Sequence, residues 1–303
     1  MTLEALDKRI KATTDLREIV STMKVLSSVS IGPYEKALDS LTQYAHTIKE
    51  AFLGFMLSSN ITFPKSKNSN TEERILAILI GTDNGLVGKF NRDVLTFAQN
   101  HFQDYTIDSS KVAYLCVGKR LGGLTSTIAD KQLYGTYAIS NSLKEIGSIA
   151  STLLIRIHDI LSKRNFTKVL VFYNQRLSGE TQKTKMAQLM PLPYGELIKL
   201  RQQKWDGKAI PIIPEDTEAM LSGLTHEYLT VILTRGITAS LAAEHYTRMV
   251  NMQQAEKNID KSLEEMNLAY QQARQTQITD ELIDIVSGAE AMKPNKKRQF
   301  NDK

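Results

Sequence analysis

The sequence predicts an α/β protein in two parts: a long antiparallel coiled coil of N- and C-terminal helices, and a central Rossmann-like α/β domain between them. Three observations predict it. Glu215 to Met292, 78 residues, contains no proline and reads as one nearly continuous helix. At about 1.5 Å rise per residue it would be ~117 Å long, wider than a compact domain of this size, so it must find partners beyond its own core. The opening stretch Leu3 to Leu26 is a second amphipathic helix, and residues 74–173 change period to strand, helix, strand, helix, strand. The expected boundaries are 1–58 for the N-terminal coiled-coil helix, 59–73 for a linker and 74–214 for the α/β domain with the irregular segment that trails it. The C-terminal coiled-coil helix takes 215–292 and a basic tail takes 293–303.

In the first helix Leu3, Leu6, Ile10, Leu16, Ile19, Val20, Met23 and Leu26 recur at helical spacing, with charged residues between them. Gly32-Pro33 removes a backbone donor and predicts a kink or short break. Beyond it Tyr34, Leu38, Leu41, Ile48, Phe52 and Phe55 resume the stripe, which ends before Ser58-Ser59-Asn60. Residues 63–73 carry almost nothing apolar and form the linker.

The middle opens with Arg74 to Ile80, a branched apolar run suited to a buried strand, followed by a helix over Asn84 to Phe102. Lys111 to Val117 is the second strand, Ser142 to Leu161 the second helix and Lys168 to Tyr173 the third strand. Gln182 to Pro191 reads as a further strand returning as a hairpin, with Ser178-Gly179-Glu180 as its turn. Trp205 to Pro214 is irregular, and Glu215-Asp216 supplies the acidic start that a long helix favours. Within that helix Met252, Ile259, Leu263, Met266, Tyr270 and Ala273 form a seam of about 3.5-residue period, the mark of a left-handed coiled coil. A helical bundle in which both ends pack into one core is the plainer alternative.

No run of 18 apolar residues occurs, which excludes a membrane-spanning helix and direct membrane insertion through one. The first residues lack the layout of a signal peptide, so a cytoplasmic chain is expected. Cys116 is the lone cysteine, which leaves no internal disulfide and no cysteine-based zinc site. The net charge of +5 is concentrated in the last eleven residues, where five cations face only Asp302, a net of +4. Such a tail reads first as solvated; nucleic-acid binding through it would be steeply salt-dependent.

The turn Gly81 to Lys89 sits where an open sheet binds phosphate, yet its glycines make neither G-x-G-x-x-G nor a phosphate loop, and a tight strand-to-helix turn is the better account. Gly118-Lys119-Arg120-Leu121-Gly122-Gly123 reads as a second glycine-rich basic turn. The five histidines form no i, i+4 pair, and no G-x-S-x-G elbow occurs. No catalytic constellation and no cofactor site stands out. A mechanical or interaction role is expected, ahead of a nucleotide-binding enzyme.

Four stretches carry a family resemblance. Ala273 to Met292 (ARQTQITDELIDIVSGAEAM) is very similar to the end of the gamma subunit of F-type rotary ATP synthases. Ala243 to Met249 resembles that family's A-x-E-x-x-x-R-M run, and Leu6 to Met23 with Lys24 its first helix. Gly81 to Asn91 (GTDNGLVGKFN) is similar to its central S-D-R-G-L-C-G-x-x-N. Asn84 and Val87 stand where arginine and cysteine are usual, Gly32-Pro33 interrupts the first helix, and Lys293 to Lys303 extends past the usual end. These departures mark a divergent or second-copy member, with sodium as one candidate coupling ion.

The resemblance implies a non-catalytic central shaft, peripheral on the cytoplasmic face of the cell inner membrane, coupling ion flow to ATP synthesis or hydrolysis by rotation. It implies as partners three alpha and three beta subunits, an epsilon subunit on the central domain and the membrane c-subunit ring near Trp205 to Pro214, with no nucleic acid. It implies that Arg274, Gln275, Thr279 and Glu281 form a polar catch with beta-subunit loops, and that Met23 and Arg248 lie where the shaft meets the lever loop of beta.

Overall fold

The computed structural model describes residues 2–58, 73–129, 132–177, 182–192, 209, 212 and 216–291. The expected linker except Glu73, the turn at 178–180, most of 205–214 and the basic tail lie outside the described residues. By contact the chain forms two units, 25–251 and 1–24 with 252–303, and the two terminal helices contribute to both.

In the larger unit, β1 (Ile75–Ile80), β2 (Val112–Val117), β3 (Leu133–Tyr137), β4 (Lys168–Arg176) and β5 (Gln182–Met190) make one sheet in the order β3-β2-β1-β4-β5. The first four are parallel and β5 returns antiparallel along β4, from Arg176 opposite Gln182 to Val169 opposite Met190. The β1 and β2 side chains are buried throughout, because both faces of the sheet are covered. Ile75, Ala77 and Leu79 point to one face, where Val94, Leu95 and Phe102 of α2 (Phe90–Asp104) and Leu121 of α3 (Lys119–Ala129) pack. Leu76, Ile78 and Ile80 point to the other, onto α4 (Leu143–Lys163), Tyr34 of α1 (Leu3–Ser58), and Leu233, Ile237 and Leu241 of α5 (Thr217–Ala291). Gly236 lets α5 lie close to the sheet: a Cβ there would sit 3.3 Å from Ile80 Cδ1.

Three expectations are corrected. Pro33 lies inside α1, which runs from Leu3 to Ser58 without a break. One lost backbone bond is outweighed there because Ile31 and Tyr34 on either side are buried and the Tyr34 hydroxyl donates to Asn141 O. The glycine-rich stretch 118–123 is not only a turn. Gly118, at φ +116°, ends β2, and Lys119 to Gly123 begin α3, with Gly122 so close to Thr136 of β3 that a Cβ would stand 2.3 Å from its Oγ1. The helix expected from Asn84 starts at Phe90, because 81–89 is a loop with Leu86 and Gly88 at positive φ.

In the smaller unit α1 and α5 run antiparallel. Arg17 Nε donates to Asp260 Oδ1 at 2.5 Å and Lys24 Nζ to Glu256 Oε2, so rising numbers on one helix meet falling numbers on the other. The α5 seam follows the expected positions, with Met252 and Met266 buried and Ile259, Leu263, Tyr270 and Ala273 half-buried. The α1 seam does not. Leu3, Leu6, Ile10, Thr13, Arg17, Val20 and Lys24 turn inward in alternating steps of three and four, while Leu16 and Ile19 face solvent. In the larger unit, Leu26 of the same helix is also exposed.

Candidate functional site: an uncovered helix end and a buried ion pair

Beyond Ala273, α5 is uncovered by any described residue: every residue from Arg274 to Glu290 is exposed, including Ile278, Leu282, Ile283, Ile285 and Val286. Within the described residues the α1 seam reaches Leu3 at about this level. The helix there holds itself by local bonds. Thr279 Oγ1 donates to Gln275 O at 2.9 Å and Gln277 Nε2 to Glu281 Oε1 at 3.0 Å.

At about 100° per residue, Arg274 and Glu281 lie within ~20° of each other and Gln275 and Thr279 within ~40°, the two pairs roughly 100–160° apart. Ile278, Leu282 and Ile285 fall on the arc between them. Asp280 and Asp284 lie on the opposite side. The four residues of the expected catch therefore flank an apolar strip; they do not make a single patch. A surface that takes this helix end must wrap close to half its circumference.

The other expected contact residues sit differently. Met23 is half-buried in the smaller unit. Arg248 is buried in the larger one, donating through Nη2 to Glu244 Oε1 at 2.5 Å one turn earlier on α5. Burial pushes the Glu244 carboxyl up, against the opposing pull of Arg248, and its Oε2 has no partner among the described residues. His245 beside it stacks on Tyr34 at 5.2 Å between ring centres. The resemblance implies a partner contact near Arg248; its burial within the chain is not legible in the sequence, because an E-x-x-x-R spacing suits an exposed helix pair equally well.

The glycine loop 81–89 spends its polar groups on the fold. Thr82 N donates to Asn91 Oδ1 and Asn91 Nδ2 to Thr82 Oγ1, each at 3.0 Å, while Lys119 N donates to Asp83 Oδ1 at 2.7 Å. Asn251 Nδ2 of α5 reaches Leu86 O at 3.4 Å, and Val87, Phe90 and Ala243 close an apolar contact. A Cβ at Gly81 would stand 2.4 Å from Asn91 Oδ1. The loop is a clasp between the sheet and α5.

Burial, with Arg248 next to it, pulls the His245 imidazole down to about 4. Its ordinary value is near 6.5, so as pH falls the unfolded chain binds the proton first, and stability present above pH ~6.5 is lost toward pH ~4. Melting of the full chain at pH 7.5 and pH 5 is expected to show a loss of about 1–2 kcal/mol beyond that of His245→Phe, which keeps the ring contact and cannot titrate. Glu244, with a raised carboxyl, acts in the opposite direction in both chains and cancels in the difference. Equal acid sensitivity of the two chains would exclude the buried histidine as its source.

The comparisons agree with this architecture. A family model described as ATP synthase matches residues 2–292. A protein named ATP synthase gamma chain from Bdellovibrio bacteriovorus is 24% identical over 294 residues, covering 96% of this chain and 99% of the relative. One of the same name from Nitratiruptor is 28% identical, covering 94% and 95%. In fold, a chain of the Euglena gracilis mitochondrial ATP synthase (OSCP/F1/c-ring) superposes with TM-score 0.67 at 16% identity, over 99% of this chain and 98% of that one. A chain of the Tetrahymena thermophila central stalk and c-ring superposes with TM-score 0.53 at 17% identity, over 78% and 99%. The chain belongs to the ATP synthase family, among the gamma chains that form the central rotor stalk of the F-type enzyme.

Proposed function

We propose that this chain is the non-catalytic shaft of a membrane-bound F-type ATPase, peripheral on the cytoplasmic face, converting rotation into nucleotide exchange on three alpha and three beta subunits. The observation that carries the reading is the uncovered end of α5, 17 residues with every side chain exposed and an apolar strip between two polar pairs. An asymmetric helix turning inside a ring makes different contacts with each of three equivalent sites, and a difference in contact energy is what shifts each site between conformations. No bond is made or broken by the shaft.

In this reading Ile278, Leu282 and Ile285 turn in an apolar sleeve, while Arg274 with Glu281 and Gln275 with Thr279 bond beta-subunit loops on either side. Met23 lies beside the lever loop of beta, and Arg248 acts from beneath by locking the α5 turn that the loop would press. The α/β domain holds epsilon, and residues 205–214 meet the c-ring. The neighbouring solved structures, taken from assemblies whose descriptions include F1 and a c-ring, support these partners. The coupling ion is a proton or sodium.

The test is native mass spectrometry of the complex recovered with a tagged copy from its own host. One copy of this chain with three each of two nucleotide-binding subunits is expected. A free chain, a homodimer or a nucleic-acid complex would overturn the assignment.

A further inference from the structure

The last turns of α5 inside the larger unit are held from all round. Ala243 packs on Val87 of the 81–89 loop and on Phe90 at the start of α2. His245 stacks on Tyr34 of α1. The centre of the Tyr246 ring lies 4.2 Å from Cζ of Arg176, the last residue of β4, which also donates through Nη1 to Glu35 Oε1 of α1. Thr247 Oγ1 donates at 2.6 Å to Oε1 of Gln182, the first residue of β5, and Gln182 Nε2 reaches Asp93 Oδ2 of α2 at 3.4 Å. Asn251, where the larger unit ends, closes the series through its bond to Leu86 O.

At about 100° per residue these contacts surround the axis: with Ala243 at zero, Thr247 and Asn251 lie near ~40° and ~80°, His245 near ~200° and Tyr246 near ~300°. The widest gap, ~120°, is filled by Glu244 and Arg248, both buried. Earlier in α5, Leu233, Ile237 and Leu241 meet the sheet along one apolar stripe. Apolar contact is non-directional, whereas stacked groups and hydrogen bonds fix an angle as well as a distance. Turning of α5 about its own axis is therefore opposed chiefly over 243–251. Arg176 and Gln182 are half-buried and face each other across the hairpin, so one rung of the sheet grips the helix on two of these sides.

We propose that Arg176 and Gln182 are positioning residues of the rotor: with Tyr34 and the 81–89 loop they form a collar that stops α5 from rolling within the α/β domain, so that rotation of the domain is passed on undiminished along the helix. The inference rests on the shaft reading and says where in the chain the torsional stiffness of the shaft is set. A turning moment that enters through the domain passes to the rest of α5 at this level, since the larger unit ends at Asn251.

Single-molecule rotation of the assembled head tests it, with the ring of alpha and beta subunits fixed to a surface and a bead carried by the full-length chain on a cysteine placed at the exposed Ser151 of α4. Cys116 is buried and its thiol is pushed up to about 11, so the introduced cysteine takes the label. The natural chain is expected to pause at one angle for each beta subunit. In Arg176→Ala/Gln182→Ala the same pauses and the same ATP turnover are expected, with the angular spread of each pause about twofold wider, because each lost contact loosens its local geometry by a factor of roughly 2–10. Arg176→Lys, which keeps the charge facing Glu35 and loses the planar stack on Tyr246, should fall between. Arg156→Ala/Asp159→Ala removes a 2.6 Å ion pair from α4 and is the control, with the natural spread expected. A merely structural role would lower melting temperature and yield without widening the pauses of the complexes that assemble, and that result would overturn the collar. Equal widening in the Arg156/Asp159 control would overturn it too. A natural chain that joins no head overturns the shaft reading and the collar with it, and is told apart by the absence of any rotation.

Discussion

Glu244→Ala is expected to cost the larger unit roughly 3–5 kcal/mol of stability, as much as truncating a buried core aromatic. It leaves the Arg248 guanidinium buried without its carboxylate, and a guanidinium cannot shed its charge. Arg248→Ala should cost less, because the carboxyl already pushed up by burial takes a proton and becomes neutral. The order of the two variants is the informative result. A paired replacement, Glu244→Leu with Arg248→Met, removes both charges and should recover most of the loss. Thermal melting of the full-length variants gives the comparison. If Glu244→Ala cost no more than about 1 kcal/mol, water would have to reach the pair, and the buried-strut role of Arg248 would fail with it.

The elements that could be read from sequence were those whose physics is local or strongly periodic. The central strands β1, β2 and β4 announce themselves because a sheet covered on both faces needs continuous apolar runs such as ILAILI and VAYLCV. The missed pair α3 and β3 lacks that signal. LYGTY is an edge strand of intermediate burial, and the glycines before it resemble a turn until Gly122 is seen packed against Thr136. Glycine marks close approach as readily as it marks a bend, and sequence does not distinguish the two.

The coiled coil is instructive for the opposite reason. Counting apolar residues identified the α5 seam but misplaced the α1 seam, because Arg17 and Lys24 occupy core-facing positions and pair with Asp260 and Glu256 across it. Long cationic side chains cover the seam with their stems while their charges reach the flank. Leu16 and Ile19 are thereby left outside, at 49% and 57% exposure, on a shaft that by the proposed function turns within a sleeve. The candidate site shows the same divide. That residues 274–291 are helical was legible, but that Arg274 with Glu281 and Gln275 with Thr279 stand on either side of an apolar strip required the helix geometry.

Arg274→Ala with Gln275→Ala is expected to lower ATP-driven ion pumping in vesicles far more than ATP hydrolysis, with the chain equally stable. Both side chains are exposed and Arg274 makes no ion pair among the described residues, so the folding cost should remain within about 0.5 kcal/mol. By the proposed function, each change removes a polar contact with the beta subunits from a different flank of the strip. Charge-assisted bonds are worth about 1.5–3 kcal/mol apiece, enough to weaken a rotor contact at least tenfold. If grip depends on both flanks, Arg274→Ala and Gln275→Ala should each uncouple partially and together more than additively, since one remaining flank lets the helix roll on its apolar strip. Asp280→Asn with Asp284→Asn, on the opposite side, should leave coupling near the natural level. Unchanged pumping in the Arg274/Gln275 variant would remove the catch from these residues. Equal damage from the Asp280/Asp284 pair would mean that the sleeve reads total charge, and that the two-flank geometry has no part in transmitting torque.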